Sequence, residues 1–521
     1  MSLMAHGDLP RAGGPAANQA RDPEAHGRRT GRAVFGLLLI LYGITAGGSL
    51  TSTDSVVTFE LTRQMVAHGS LALPTNMLGK DAMRGRDGRY YSPFGLAQAI
   101  FNIPFYAAAV TLERAGVRAG REDSLAKAFV ALSSTVAAAA AIWALYVFAW
   151  RLTRSSSAAA RLALVVGVGT PLWPYSKFGF NAPLAAWFTT SAVYFAWRAD
   201  REGRLRDAVF AGAFVGLALL TRHELGLLLL PILLLHATTR DASVRATRAI
   251  ATLAGVTPAL LLWLAYNALR FGNPLDTGYM RDSTSAFGSS VWTGLYGLLC
   301  SPAASLFVYC PLAVGGVAAL AWLSRQDRRT AALLGGTIVL VVLFYAQLGN
   351  WIAGRSYGPR YLVPIVPLLL LPLAWRFVPG KRLGRALAAL CVLSVVVQVP
   401  GVLVDYAKVS VANARENGAP TKSERVGDWS TSPLVLNSRA AIDATPRNVR
   451  WLLGTVALPP LASGDDRDFS QRFSYSLDFW WLYLMFMRTI GHAAAIAVAV
   501  TGGCLLAAQG WYVARLVRRH D

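Results

Sequence analysis

The chain has 521 residues, of which 54% are hydrophobic and only 15% charged, with a mean hydropathy of +0.41. Soluble domains run nearer about 25% charged, so this composition excludes both a disordered chain and a soluble globular enzyme. The formal charge of +22 raises nucleic acid as a partner, but no basic stripe interleaved with aromatics occurs along the chain, and nucleic acid is excluded with it.

The positive charge instead collects in short breaks between long apolar runs: Arg28, Arg29 and Arg32; Arg151, Arg154 and Arg161; Arg198 to Arg206; Arg240, Arg245 and Arg248; Arg325, Arg328 and Arg329; Arg376 to Arg385; and Arg515 to Arg519. Such clustering marks cytoplasmic loops. With those breaks on one side, the apolar runs must cross in pairs. The expected architecture is therefore an all-α polytopic membrane protein of about twelve transmembrane helices, both termini cytoplasmic. The spans are expected near 33–50, 126–150, 158–175, 182–198, 207–221, 224–238, 249–269, 304–323, 331–348, 361–376, 385–404 and 488–514.

In chain order, residues 1–32 are rich in Ala, Gly, Pro and Arg and read as a disordered cytoplasmic tail. A transmembrane domain follows over 33–404, with its first periplasmic loop at 51–125. In that loop Asp54 precedes Val56, Val57, Phe59, Leu61 and Met65 at helical spacing, which fits a short helix lying on the bilayer surface. Asp54 then either presents its carboxylate just above the hydrocarbon boundary or serves as an ordinary N-cap. Asp87-Gly88 is a turn signal ahead of Tyr90 and Tyr91, and the apolar run from Leu96 to Val110 reads as re-entrant or interfacial, because a crossing there would break the charge alternation. Further polar loops fall at 172–182, 270–303 and 349–360 on the same outer side, and Thr221-Arg222-His223-Glu224 is a charged element between two very apolar runs. Residues 405–487, broken by Pro420, Pro433, Pro446, Pro459 and Pro460, read as a small periplasmic cap segment, and 488–521 as the last transmembrane helix and cytoplasmic end. Cys300, Cys310, Cys391 and Cys504 have neither metal nor redox spacing.

The outer-side motifs occur in an order that resembles a family. They are Thr53-Asp54 with Glu60, Arg63 and Met65; Asp87-Gly88-Arg89-Tyr90-Tyr91-Ser92-Pro93; Thr170 to Ser176; Tyr266-Asn267 with Arg270 to Leu275 and Gly278-Tyr279; and Trp351 with Gly354 to Tyr361. Over about residues 33 to 376 this resembles bacterial GT-C glycosyltransferases. These are the polyprenyl-phosphate-sugar-dependent enzymes related to protein O-mannosyltransferases and to the lipid A aminoarabinose transferase.

The resemblance implies an inverting transfer of a sugar from a polyprenyl-phosphate donor to a cell-envelope glycan, lipid or protein acceptor at the periplasmic face of a bacterial inner membrane. It implies that Asp54 is the general base. The departing lipid phosphate needs cationic donors, for which Arg355, Arg360, Lys177 and Arg89 are the candidates. Arg355 and Arg360 can equally anchor their loop to headgroups. Tyr90, Tyr91, Trp351, Tyr357, Arg222 and Glu224 are candidates to line the substrate, although aromatics at membrane interfaces also serve as anchors. Ser55 and Asn181 stand where many relatives carry acids, so no metal is predicted from the residues, while divalent cations do occur at some GT-C sites. The competing class is a transporter or flippase for a lipid-linked saccharide. No internal repeat and no acid pair within the spans speaks for it.

Overall fold

The computed structural model describes residues 22–74, 82–117, 123–281, 287–378, 384–418, 426–458, 476–486 and 491–518. Helix α1 (Pro23–Ile44) starts within the stretch expected to be a disordered tail. Asp22 accepts a hydrogen bond from the Glu24 amide and Pro23 occupies the first turn, a start signal strong enough to carry the helix through Arg28, Arg29 and Arg32. Residues 1–21 of that expected tail lie outside the described residues.

After α1 the chain forms α2 (Thr53–His68) and three two-residue strands, β1 (Ala72–Leu73), β2 (Met83–Arg84) and β3 (Tyr90–Tyr91). The strands are antiparallel in the order β1-β3-β2, with Tyr91 opposite both Ala72 and Met83. This small sheet is an exception to the all-α expectation. The Asp87-Gly88 turn, with Gly88 at φ 80, folds β2 and β3 into a hairpin on which the two tyrosines pair. Helix α3 (Leu96–Arg114), the expected interfacial segment, rests on α2 through Thr62 Oγ1, which donates to Ala99 O at 3.0 Å, and through a Phe59–Tyr106 edge contact at 5.9 Å.

The remaining elements are α4 (Ser124–Thr153), α5 (Ser156–Val168), α6 (Leu172–Tyr175), α7 (Asn181–Glu202), α8 (Leu205–Thr221), a 3-10 turn (His223–Leu228) running into α9 (Leu229–Ala237), α10 (Ala242–Phe271), α11 (Val291–Leu299), α12 (Leu306–Tyr309), α13 (Leu312–Gln326), α14 (Arg328–Ala346), α15 (Val366–Leu370) between 3-10 turns at Arg360–Ile365 and Leu371–Arg376, α16 (Arg385–Leu403), α17 (Tyr406–Asn417), α18 (Pro433–Leu452) and α19 (Gly491–Arg518). The expected span at 361–376 is irregular because Pro364, Pro367 and Pro372 each remove a backbone donor and crowd the preceding turn. Five of the described helices, α4, α10, α14, α16 and α19, are long and apolar enough to cross a membrane. The chain is a multi-pass membrane protein.

The arginine breaks meet one another at one end of the bundle. Arg329 binds the Asp200 carboxylate with Nε–Oδ2 at 3.1 Å, Arg248 reaches the same carboxylate at 3.5 Å, and Arg201 pairs with Asp327. Arg151 pairs with Glu24 at 3.0 Å, Arg29 donates to the Tyr512 hydroxyl, and Arg161 donates to Phe377 O at 3.1 Å. The helices between these contacts therefore run to and from a common face, as the charge alternation requires. In the cap segment, α17 is capped by Asp405 and α18 by Ser432. Residues 476–486 return to the bundle, where the Trp480 and Trp481 indoles donate to Gly43 O and Ile44 O at 2.8 and 3.0 Å and close the end of α1. Of the cap, 419–425, 459–475 and residue 487 lie outside the described residues.

Candidate active site

At the end of the bundle opposite the arginine breaks lies a cleft lined by Asp54, Phe94, Gly95, Asn181, Thr221, Arg222, His223, Glu224, Tyr279, Arg360 and Tyr361. Its first wall is the start of α2. Ser52, not Asp54, caps that helix: Ser52 Oγ accepts from the Ser55 amide at 3.1 Å. Asp54 thus sits in the first turn with its carboxylate free of a capping duty, near the positive end of the helix dipole. That carboxylate forms an ion pair with the Arg360 guanidinium, and the two side chains are 22% and 12% exposed.

Arg360 is brought there by the turn before it. Gly358 has φ 72, and a Cβ at that position would lie 2.5 Å from the Tyr309 ring, so only glycine lets the chain bend over Tyr309 and deliver Pro359 and Arg360 into the cleft. The guanidinium also lies 4.8 Å above the Phe180 ring, a contact worth more away from bulk water. Gly95 closes the opposite wall. A Cβ there would meet Leu220 O at 2.2 Å and Thr221 O at 2.7 Å, so the entry to α3 can touch the end of α8 only without a side chain.

The charged element after α8 forms the floor. Arg222 donates through Nε and Nη2 to Asn181 Oδ1 at 3.1 and 3.0 Å, and through Nη1 to the Tyr345 hydroxyl at 3.4 Å. Tyr345 in turn donates to a Glu224 oxygen and stacks on Tyr361 at 4.3 Å and 6°. Asn181, standing where many relatives carry an acid, here serves as the acceptor that orients Arg222. His223 has both nitrogens engaged. The Trp263 indole can only donate, so Nδ1 accepts from it at 2.8 Å, and Nε2–H must donate to Pro93 O at 3.0 Å. This is a neutral, structural histidine. Among the described residues no group of three or more His, Cys, Asp or Glu side chains is arranged to hold a metal ion.

Of the residues singled out from sequence, Asp54, Arg360, Arg222 and Glu224 come together in this cleft. The others lie elsewhere. Lys177 is wholly buried, paired with Asp478 at 3.1 Å and donating to Val402 O and Asp478 O; burial pushes its ammonium below the usual lysine range, and the Asp478 carboxylate only partly offsets this. It ties the cap segment to the bundle and is not available to a phosphate. Arg89 is exposed and bound to Asp87 at 2.7 Å. Asp87, which also accepts from Tyr91 Oη at 2.8 Å, is held down to about 2 by those hydrogen bonds, Arg89's first. Tyr90 and Tyr91 form β3. Trp351 and Tyr357 are buried in the main core, Tyr357 donating to Val397 O. Arg355 is exposed, five residues before Arg360 in sequence but not among the cleft's lining.

Sequence reasoning did not single out Phe94, Phe180, Tyr279, Tyr345 and Tyr361 for the site. Tyr279 and Tyr361 were within quoted motifs, where a hydroxyl beside a required glycine turn is the signal. Tyr345 ends an apolar run and has no local signal at all.

No curated protein sequence matches the chain. The solved structures to which the chain is similar include the following. The crystal structure of ArnT from Cupriavidus metallidurans bound to undecaprenyl phosphate is 17% identical, with 85% of this chain and 84% of that one covered and a TM-score of 0.44. The same protein in the apo state gives 16%, 87%, 85% and 0.46. The archaeal oligosaccharyltransferase AglB from Archaeoglobus fulgidus, in complex with an inhibitory peptide and a dolichol-phosphate, gives 12%, 89%, 63% and 0.42. Residues 126–266, from α4 to the last turns of α10, match the family described as dolichyl-phosphate-mannose-protein mannosyltransferase, and it is there that the resemblance to polyprenyl-phosphate-dependent GT-C glycosyltransferases is borne out.

Proposed function

We propose that the protein is a glycosyltransferase that moves a sugar from a polyprenyl-phosphate donor to a cell-envelope acceptor, with inversion, on the periplasmic side of a bacterial inner membrane. The observation that carries this reading is the Asp54–Arg360 pair: a carboxylate and a guanidinium 306 positions apart in the chain meet in one cleft, away from the arginine-rich end. A base for the acceptor and a cation for the departing phosphate are the two groups such a transfer needs within one cleft, on either side of the anomeric carbon. The family match over 126–266 supports the same reading.

In this reaction the acceptor hydroxyl attacks the anomeric carbon from the face opposite the lipid phosphate. The new C–O bond forms as the bond to the phosphate oxygen breaks, the electron pair leaves with the phosphate, and the hydroxyl proton passes to Asp54. Arg360 meets the negative charge that grows on the phosphate, and Arg222, oriented by Asn181 and Tyr345, supplies a second guanidinium to the cleft. An arriving phosphate competes with Asp54 for Arg360, so donor binding itself releases the carboxylate for its proton. Tyr361, backed by the stacked and buried Tyr345 ring, and Glu224 offer an aromatic wall and a second carboxylate for sugar hydroxyls.

The test is transfer by the purified full chain in lipid nanodiscs from polyprenyl-phosphate hexose and pentose donors, read as release of polyprenyl phosphate that depends on an added envelope extract. Release is expected. Uptake of lipid-linked saccharide across the bilayer without its cleavage would replace this reading with the transporter. For orientation, a reporter fused after Arg329 is expected to be cytoplasmic and one after Glu416 periplasmic.

A further inference from the structure

A second polar concavity lies at the opposite end of the bundle, between α1 and α19. The two helices run side by side. Gly502 meets Ile44 near one end, Gln509 Nε2 donates to Ala33 O at 2.9 Å further along, and Arg29 Nε donates to the Tyr512 hydroxyl near the other end. Past Ala33 the helices part and leave a groove of about 570 Å³ lined by Ala25, Arg28, Arg29, Arg32, Gln509 and Tyr512, within the roughly 300–1,000 Å³ of clefts that hold small ligands.

Its chemistry is that of a donor cradle. Arg28 is engaged by Glu24 at 2.9 Å and Asp22 at 3.7 Å. Among the described residues Arg29 spends only Nε, on Tyr512, which leaves both of its terminal NH₂ groups for a ligand. Tyr512 Oη, accepting that bond, keeps its own proton to donate. Arg32 has no ion-pair partner among the described residues. Among the described residues no carboxylate lines the groove, so the ligand that suits it brings acceptor oxygens and negative charge. Its position says where that ligand comes from. Trp511 is 63% exposed with Arg515 5.3 Å over its ring, an interfacial aromatic and its cation. Along the same helix Leu505, one turn before Gln509 and on the same side as Tyr512, is exposed and apolar, a first contact for hydrocarbon beside the groove.

We infer that this groove binds an anionic glycerophospholipid, its phosphate held by Arg29, Arg32 and Tyr512 and its acyl chains lying along α19. The inference stands apart from the catalytic reading, and its test needs no donor sugar. The full-length protein in detergent is titrated with phosphatidylglycerol, with phosphatidylcholine of the same chains, and with inorganic phosphate, and bound lipid is counted by native mass spectrometry. Wild type is expected to retain phosphatidylglycerol over phosphatidylcholine, and inorganic phosphate is expected not to displace it. The double variant R29Q/R32Q should bind phosphatidylglycerol about 30-fold more weakly, roughly 2 kcal/mol at about 1 kcal/mol per basic residue near the membrane surface. R240Q/R245Q removes the same charge from another break and should leave binding within about twofold of wild type. Arg32→Gln alone alters an exposed side chain without an ion-pair partner, leaves the fold intact, and should show part of the loss. Unchanged binding in Arg32→Gln and R29Q/R32Q, or an equal loss in R240Q/R245Q, would overturn the site. Displacement by inorganic phosphate would make it a soluble-anion site and overturn the lipid assignment.

Discussion

Replacing Asp54 by Asn separates chemistry from architecture. Asn keeps the size of the side chain and an oxygen that can accept from Arg360, but it cannot take a proton. Ser52 holds the cap of α2, so the substitution leaves the helix start untouched. What is lost structurally is the charge of a pair whose members are 22% and 12% exposed. Fully buried pairs cost about 3–5 kcal/mol when one partner is removed and exposed pairs about 0–1 kcal/mol. A partly shielded pair that keeps one hydrogen bond should therefore cost about 1–2 kcal/mol of stability. Loss of the general base costs about 10²- to 10⁴-fold in turnover, equivalent to about 3–5.5 kcal/mol of barrier. The assay is single-turnover release of polyprenyl phosphate from bound donor, with thermal unfolding measured on the same sample. Turnover should collapse in a protein that still folds and still binds donor. Near-normal release by a folded Asp54→Asn variant would refute the assignment, and the base would then be sought at Glu224, the other carboxylate of the cleft.

Arg360→Gln should raise the donor concentration needed for half-maximal release and weaken donor use by about 2–5 kcal/mol, read from kcat/KM; an unchanged kcat/KM would remove Arg360 from the phosphate site. Lys177→Met or Asp478→Leu alone should destabilise by about 3–5 kcal/mol, because each leaves a buried charge unpaired, whereas the double variant K177M/D478L should recover much of that loss in thermal unfolding. Asp87 has its folded pKa depressed to about 2, so its contribution to stability is fully present above an unfolded value near about 4 and is lost as pH falls through about 2. Asp87→Asn should flatten that part of the pH–stability curve and change nothing at pH 7 to 8 in its slope, as followed by unfolding between pH 5 and 2.

The multi-pass architecture was legible in the sequence because it is written in properties that need no partner: apolar runs of membrane length, and arginine breaks that return to one face. The body of α2 was legible for the same reason, since Val56 to Met65 carries helical spacing, but its cap was not: Ser52 holds it and not Asp54. Even the extra ten residues at the front of α1 had a local signal, Asp22-Pro23, that composition masked. The site was only half legible. That Asp54 and Arg360 are reactive types in outer loops could be read along the chain, but their pairing could not, because they are 306 positions apart and meet only when the Gly358 turn folds over Tyr309. Lys177 and Arg89 looked equivalent to Arg360 in sequence, each a cation in a polar loop. Tertiary structure sent Lys177 to Asp478 and left Arg89 on Asp87, since a cation goes to whichever anion the packing brings within reach. Trp351 and Tyr357, read as candidates for the substrate wall, went into the core, while Tyr361 reached the cleft, stacked on the buried Tyr345 where α14 and the Arg360 turn end against each other. Local sequence determined that the chain is a series of apolar helices broken by arginines; only the assembled bundle decided which charges find partners and which come together in the cleft.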